Sequence, residues 1–326
     1  MKDNSTKNKI LSLLKKSDDY ISGEQLSQDI GITRSAIWKY INALRSEGYD
    51  IDSVTNKGYK LSGCSDVINE FELTEGLKTK WLAKSLVYLP TVDSTNQEVK
   101  RIASAYPHGT VVIAEQQTAG KGRLGRVWSS PNGTGLWFSI LLKPEIALNQ
   151  IAGITLVCGL GVCKAIRKYT GLNALIKWPN DIIIGNKKIC GILTEMTAEA
   201  DRINYAVTGI GINVNTSEFD GEIKHKATSL SIENNNVINR AELFKEIILS
   251  LETEFDNYFS NPDSGIDEEY TSLCVTLGRE VTVKRGNSTF SGKAVAVEST
   301  GDLVVRLSDS TAVKVSSGEV TVQGIY

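Results

Sequence analysis

AGKGRLGRVWSS, residues Ala119–Ser130, spaces Gly120, Gly122 and Gly125 as a dinucleotide-binding loop does, and Val127 extends the match toward the glycine-rich loop of protein kinases. The flanks decide between folds, because the dinucleotide pattern needs a strand before it and a helix directly after it. After Gly125 comes RVWSSPNGTG, where Pro131, Asn132, Gly133 and Gly135 mark a long irregular loop and no helix. The kinase alternative lacks its companions: the chain has no VAIK-type lysine strand, HRD loop or DFG motif, and no Walker A lysine. What the stretch does have is Lys121, Arg123 and Arg126 interleaved with glycines, so that backbone N–H groups and cations converge on one small anion. The alternative is an exposed, solvated basic loop.

Two other stretches bear on that choice. In IKWPNDIIIGNKKICG, Lys177 sits in an apolar strand before Pro179, where a buried ammonium without an anion costs several kcal/mol, on the order given for unpaired charges. A partner for it is expected. Asn180 and Asp181 follow the Trp-Pro turn and suit a sugar, Mg²⁺ or a plain Asx turn. In VDSTNQEVK, Ser94 and Gln97 have the spacing of a capping box, while Ser94, Thr95 and Asn96 also set donors and acceptors at a strand-to-helix junction.

Working outward, three segments emerge. Residues 1–65 read as three short helices and a hairpin. Ser22 caps the second helix, only Gly31-Ile32 precedes the third, which begins at Thr33, and YDIDSVTNKGYKLSG supplies two strands around a turn. That order is a winged helix-turn-helix, with Arg34, Ser35, Trp38 and Lys39 facing DNA; a small helical bundle with Trp38 in its core is the alternative. Charge does not separate the two, since residues 1–63 hold ten Lys and Arg against eight Asp and Glu. Residues 66–272 alternate helical and strand patterns without strict repetition, predicting a mixed or antiparallel sheet with helices on one face, and a long amphipathic helix from RAELFKEIILSLETEFDNYF. Residues 273–326 show short strands in REVTVKR, STFSGKAVAVES, DLVVRLS and TAVKVSS, the pattern of a small β-barrel.

The whole chain fits this division. Its 326 residues are 41% hydrophobic, enough for two or three domains, and a net charge of −2 leaves no overall basic field to attract nucleic acid or a membrane. Cys64, Cys158, Cys163, Cys190 and Cys274 are scattered, with no CxxC pair, so neither a zinc cluster nor a disulfide framework is expected. No signal peptide is visible, and the most apolar stretch, Ile151–Ile166, is interrupted by three glycines and Lys164. A cytoplasmic protein without a membrane partner is the expectation.

Taken together, GKGRLGRVW, KWPND followed by KKICGIL, DSTN, GIGINVN and the leading winged helix-turn-helix resemble the biotin-protein ligases, specifically the bifunctional ligases that double as biotin operon repressors. The resemblance runs the length of the chain. It implies a multidomain α+β protein: a winged helix-turn-helix, a class II synthetase-like biotin ligase fold and a C-terminal SH3-like barrel. It implies that Ser94, Thr95, Asn96 and Gln117 hold the biotin head, that Lys121, Gly122 and Arg123 wrap biotinyl-adenylate, and that Lys177 lies by the biotin carboxylate and α-phosphate. Asp181 is the matching candidate for Mg²⁺, and Trp128 resembles an adenine shelf, with Arg126, Ser129, Asn180, Asn213 and Asn215 completing the nucleotide site. Lys121 departs from the arginine usual there, which removes a bidentate grip. The implied partners are ATP, biotin, the carrier domains of biotin-dependent carboxylases, operator DNA and a second copy of the chain.

The chemistry agrees with this assignment. Joining a carboxylate to the α-phosphate of ATP and passing the acyl group to an amine needs charge neutralisation and alignment rather than a protein nucleophile. Lys177, Arg123 and Asp181 with Mg²⁺ suit that role, while His108 and His225 lie outside every motif. A lipoate ligase would share the central fold, but its arginine-rich and glycine-triplet motifs are absent. A non-catalytic biotin sensor would have no need of Lys177.

Overall fold

The computed structural model describes residues 2–326, apart from Cys64, Ser65, Ala200, Asp201, residues 263–267, Asn287, Ser299 and Ser317, and only the backbone of residues 2–4. The chain forms two compact units, residues 1–75 with Asn239–Ala241, and residues 76–238 with 242–326. The boundary expected at residue 65 falls outside the described residues.

The first unit contains α1 (Lys2–Lys15), α2 (Gly23–Ile30), α3 (Arg34–Ser46), β1 (Ile51–Val54), β2 (Gly58–Leu61) and α4 (Glu70–Thr74). Ser22 Oγ accepts the Gln25 N–H at 3.0 Å, Gly31 ends α2 at φ 75°, and Thr33 Oγ1 accepts from Ala36 N at 3.3 Å, so the turn between the helices is capped on both sides. Ile10, Leu11, Leu14, Leu26, Ile37, Ile41 and Leu44 bury the facing stripes of the three helices. β1 and β2 pair antiparallel from Ile51↔Leu61 to Val54↔Gly58, forming the expected wing. Trp38 is not in this core: it is 57% exposed, and Arg34, Ser35 and Lys39 are exposed on the same helix. The unit runs past residue 65 because α4 is tied back into it. Buried Glu72 accepts from Tyr49 Oη at 2.8 Å and pairs with Lys15, and Asn69 Nδ2 donates to Tyr49 Oη.

The second unit is built on a seven-stranded sheet. Its strands are β3 (Leu86–Val92), β4 (Val111–Gln117), β5 (Gly135–Leu142), β6 (Ala174–Lys177), β7 (Asp181–Ile184), β8 (Lys187–Glu199) and β9 (Arg202–Asn213), in the order β3-β4-β5-β9-β8-β7-β6. β3 and β4 run parallel across α5 (Thr95–Ile102) and every other neighbour is antiparallel, so the sheet is mixed. Helices cover both faces rather than the single face expected. Val99 of α5 and Ala103 just after it pack with Val112, Leu141 and Val207 on one face. On the other, α6 (Ile151–Thr170) meets Ile192, and Phe244 of α8 (Arg240–Ser260) packs edge-on against Phe138. The reason is visible in β5, whose residues are buried throughout; a strand that is apolar on both pleats needs cover on both. Among the described residues one helical stretch, Leu148–Thr170, is long and apolar enough to cross a membrane; it contains the core helix α6, and most of its apolar window is buried inside the fold.

Short helices α7 (Leu230–Asn234) and α9 (Glu268–Leu273) connect to β10 (Glu280–Arg285), β11 (Ser288–Val297), β12 (Leu303–Arg306), β13 (Ala312–Val315) and β14 (Glu319–Val322). These form an antiparallel sheet in the order β13-β12-β11-β10-β14. The strand pattern anticipated β10 to β13 but not β14, four residues that follow Gly318 and pair with β10. Cys158, Cys163, Cys190 and Cys274 are buried and unpaired, and burial pushes each thiol up; Cys64 lies outside the described residues.

Candidate functional site

The face of the central sheet that carries α5 opens into a cavity of about 810 Å³ between the 119–130 loop, the β6–β7 hairpin and β14. Ser94, Thr95, Asn96, Gln117, Lys121, Gly122, Arg123, Arg126, Trp128, Ser129, Lys177, Asn180, Asp181 and Asn213 all line it. Asn215 does not: its Nδ2 donates to Ile238 O at 2.9 Å and its Oδ1 accepts from Ile238 N at 3.0 Å.

One wall is a polar network at the start of α5. Ser94 occupies the N-cap position, but its side chain makes no cap hydrogen bond, so the expected capping box is not formed. Instead Gln117, at the end of β4, accepts from Thr95 N at 2.8 Å and Oγ1 at 3.1 Å, and donates to Ser130 Oγ at 2.8 Å. Ser139 Oγ of β5 lies 2.7 Å from Thr95 Oγ1 and 2.6 Å from Asn96 Oδ1. Asn96 Nδ2 donates to Glu195 Oε2 at 2.8 Å, and Glu195 in turn receives Lys100. Burial raises the Glu195 carboxyl pKa, but the bonds from Lys100 and Asn96 outweigh it and hold the carboxyl below its ordinary value. The sequence reading missed Ser139 and Glu195; a single serine inside GLWFSILL was the available signal. Ser94 is 3% exposed, lines the cavity and has no side-chain partner among the described residues, which leaves its hydroxyl for a ligand.

The floor is made of glycine. A Cβ at Gly209 would stand 2.2 Å from Asn96 Oδ1, and one at Gly211 would stand 2.4 Å from Trp128 Nε1. One at Gly191, opposite Gly211 in β8, would meet Trp128 Cζ3 at 2.9 Å. Gly191, Gly209 and Gly211 therefore present bare backbone on this face so that an asparagine and an indole can rest on it. Trp128 Nε1 is buried there without a hydrogen bond, and Lys188 lies over the ring at 5.1 Å.

The 119–130 loop leaves β4, bridges Lys121 to Val127, and turns through a short 3-10 segment at Arg123–Gly125. Gly125 takes φ 75°, and a Cβ at Gly120 would stand 2.4 Å from Trp128 O. Those two glycines are needed by the loop's own path, whereas a Cβ at Gly122 would meet only ordinary contacts. The basic residues are directed differently from one another. Arg123 Nη1 donates to Asn180 Oδ1 at 2.9 Å and Nη2 to Gly318 O at 3.1 Å, and burial lowers its pKa despite the opposing charge of Asp181. Arg126 pairs with Glu319. Lys121 is exposed at the cavity mouth, and Val127 is 84% exposed.

Lys177 and Asp181 are cross-strand partners in the β6–β7 hairpin, whose Trp178–Pro179 bond is cis. Trp178 anchors the turn, with N bonded to Thr276 Oγ1 and Nε1 to Gly301 O, both at 3.0 Å. Asn180 and Asp181 do not spend their side chains on an Asx turn. Asn180 braces Arg123 and donates to Ile192 O, and Asp181 meets Lys188 at 2.6 Å and Tyr326 Oη at 2.5 Å. Lys177 is 7% exposed and has no carboxylate within ion-pair distance among the described residues; its ammonium lies 3.7 Å from the Tyr326 ring centroid. Burial pulls its pKa down to about 8 against the opposing charge of Asp181, with Lys188 and Arg126 pushing the same way as burial. Lys188 and Tyr326 were not anticipated from sequence, the first hidden in a double lysine and the second carrying no local pattern. His108 is packed against Trp81 and accepts from Lys143 N at 2.9 Å, and neither histidine lines the cavity.

A buried ammonium without a carboxylate partner and a guanidinium beside a glycine-floored slot can receive an anion attached to a flat ring. Comparison with known proteins leads to the same place. Residues 88–213 match the Biotin/lipoate A/B protein ligase family, residues 6–60 an HTH domain and residues 276–322 the Biotin protein ligase C terminal domain. The chain is 39% identical over 290 residues to the Bifunctional ligase/repressor BirA of Bacillus spizizenii, covering 88% of this chain and 89% of that one. It is 33% identical over 258 residues to the protein of that name from Escherichia coli, covering 77% and 78%. Among solved structures it is similar to the biotin protein ligase of Aquifex aeolicus in complex with biotin and ATP, with a TM-score of 0.64, 32% identity, and coverage of 74% of this chain and 99% of that one. The chain belongs to the biotin-protein ligase family, in the bifunctional form that joins a ligase to a helix-turn-helix repressor.

Proposed function

We propose that this chain is an ATP-dependent biotin-protein ligase that makes biotinyl-5′-AMP, transfers biotin to a lysine of carboxylase carrier domains, and represses biotin genes by binding operator DNA. The observation that carries the reading is Lys177: a buried ammonium without a carboxylate, opening onto the cavity that Ser94, Asn96, Gln117 and Trp128 also line. In the first step a biotin carboxylate oxygen attacks the α-phosphorus and the bond to pyrophosphate breaks. In the second a carrier lysine amine attacks the acyl carbon and AMP leaves. Lys177 and Arg123 act on the charge that gathers as two anions meet, and alignment in a dry cavity supplies the rest.

We assign the ureido and thiophane end of biotin to Ser94, Thr95, Asn96 and Gln117, and the linking phosphate to Lys121, Gly122, Arg123 and Lys177. The nucleotide goes to Arg126, Trp128, Ser129, Asn180 and Asn213. Asn215 is removed from that set, because its amide is committed to Ile238. Mg²⁺ enters with the phosphates of ATP and Asp181 is its candidate carboxylate.

Arg34, Ser35, Trp38 and Lys39, exposed along α3, are the proposed DNA-reading face. We further propose that residues 1–65, 66–272 and 273–326 are the functional modules, that the last is an SH3-like barrel, and that the protein works in the cytoplasm. Ordering of the 119–130 loop around the adenylate would favour a homodimer that binds a two-fold operator; an unchanged monomer–dimer equilibrium with biotin and ATP in sedimentation refutes that link. The ligase reading is tested by pyrophosphate release from ATP with biotin, lipoate or neither, for wild type and Lys177→Ala. Release that depends on biotin and is lost in the variant is expected; release with lipoate alone, or full activity in the variant, overturns the reading.

A further inference from the structure

Tyr326, which follows β14, reaches into the cavity and engages both members of the Lys177–Asp181 pair. Its ring faces the Lys177 ammonium at 3.7 Å and its hydroxyl donates to Asp181 Oδ2 at 2.5 Å. The backbone holds it there, since Tyr326 N donates to Asn186 O at 3.2 Å in the turn between β7 and β8. Lys188 Nζ forms an ion pair with the other Asp181 oxygen at 2.6 Å, without hydrogen-bond geometry. Both carboxylate oxygens and the ammonium are therefore engaged within the chain, by the two kinds of contact that a metal-bound triphosphate replaces. A ring face attracts an ammonium more weakly than a phosphate oxygen does, and a neutral phenol satisfies a carboxylate less than a cation does. The nucleotide can thus take both groups, once the phenol has left them.

We infer that Tyr326 sets the affinity for ATP by holding the place of its polyphosphate and being displaced when the nucleotide binds. The inference rests on the proposed assignment of Lys177 and Asp181 to ATP. In Tyr326→Phe the hydroxyl that occupies Asp181 is gone and the ring remains; in Tyr326→Leu both contacts go. Binding of an α,β-methylene analogue of ATP with Mg²⁺ is measured by calorimetry for wild type and both variants, with biotin binding as the control. A second readout is the fluorine signal of 3-fluorotyrosine placed at position 326. The phenylalanine variant is expected to bind the analogue about threefold more tightly or better, the magnitude of losing one competing hydrogen bond. The leucine variant gains at least as much, and biotin binding stays within about twofold for the phenylalanine variant, which keeps the ring over Lys177 and leaves the Gln117 network untouched. The fluorine signal moves to the position of free fluorotyrosine on saturation with the analogue and stays put with biotin alone. Tyr326→Phe retains the ring, so the test stands if the leucine variant fails to fold. Unchanged or weaker analogue binding by the phenylalanine variant, while wild type binds the analogue and forms adenylate, overturns the role of Tyr326 alone. A wild-type protein that binds biotin and no nucleotide overturns this inference and the ligase reading together.

Discussion

Gly211→Ala separates nucleotide binding from biotin binding by one methyl group. The new Cβ would lie 2.4 Å from Trp128 Nε1, 2.6 Å from Cε2 and 3.0 Å from Cζ2. Ordinary contact starts near about 3.5 Å, so the indole or the strand must retreat by roughly 1 Å. The strand is the stiffer of the two, because β9 is hydrogen-bonded on both sides, with Gly211 opposite Trp137 and Gly191. The indole sits on a loop whose neighbour Val127 is exposed, and it moves instead. Overpacking costs about 1–3 kcal/mol, and yielding by the loop puts the stability loss near the low end. Losing the aromatic shelf removes about 1–3 kcal/mol of stacking, which is roughly a 5- to 150-fold loss of nucleotide affinity. The Ser139–Asn96–Gln117 corner rests on Gly209 and is untouched, so biotin binding stays within about twofold. Calorimetry with biotin and with an ATP analogue, beside a thermal unfolding scan, reads all three quantities. Unchanged nucleotide affinity, or an equal loss for biotin, refutes the assignment of Trp128 as the nucleotide shelf.

The amine of Lys177, lowered to about 8 by burial, is protonated more readily in the unfolded chain, so stability rises with pH between about 8 and the ordinary lysine value, and below that window the buried charge is a cost to the fold. Lys177→Met should therefore raise stability at pH 7 by on the order of 2 kcal/mol, flatten that rise and abolish pyrophosphate release; a destabilised variant in urea titrations counts against this account. At subsaturating biotin and ATP, wild-type pyrophosphate release should fall as pH rises through about 8, where Lys177 of the free protein loses its charge. Asn215→Ala should cost about 1–3 kcal/mol through the unpaired Ile238 backbone, leaving ATP affinity unchanged, as chemical denaturation and calorimetry would read. Lys39→Ala should weaken binding to operator and random DNA alike and reduce the salt slope by about 1, whereas Trp38→Ala alters discrimination between them; stability of both variants stays within about 0.5 kcal/mol. Filter binding across a salt series decides this, and unaltered slopes for Lys39→Ala refute the placement of the α3 face on DNA.

Local chemistry makes much of this protein legible in its amino-acid sequence. The caps at Ser22 and Thr33, the NKG turn and the apolar stripe of α3 each act within a few residues, so the helix-turn-helix and its wing are written in short-range pattern. The same holds for the strands on either side of Gly185-Asn186 and for the rejection of a glycine loop that leads into a helix. The ordered motifs also named most of the cavity's lining. What no window of sequence contained was the pairing of distant residues: Gly209 with Asn96, Gly211 and Gly191 with Trp128, Ser139 with Thr95, and Tyr326 with Lys177 and Asp181. Ser94 and Gln97 illustrate the limit, since their spacing suits a capping box but Thr95, one position on, is claimed by Gln117 from another strand. Asn213 and Asn215 read as equals in GIGINVN, where alternation would put both on one face, yet one lines the cavity and the other is held by Ile238, because β9 ends at Asn213 and Asn215 lies in the segment that follows. Short-range sterics and hydrogen bonding act through neighbours in the chain, and those the amino-acid order specifies directly; which groups share a desolvated cavity depends on sheet order and packing, and only the folded chain supplies that.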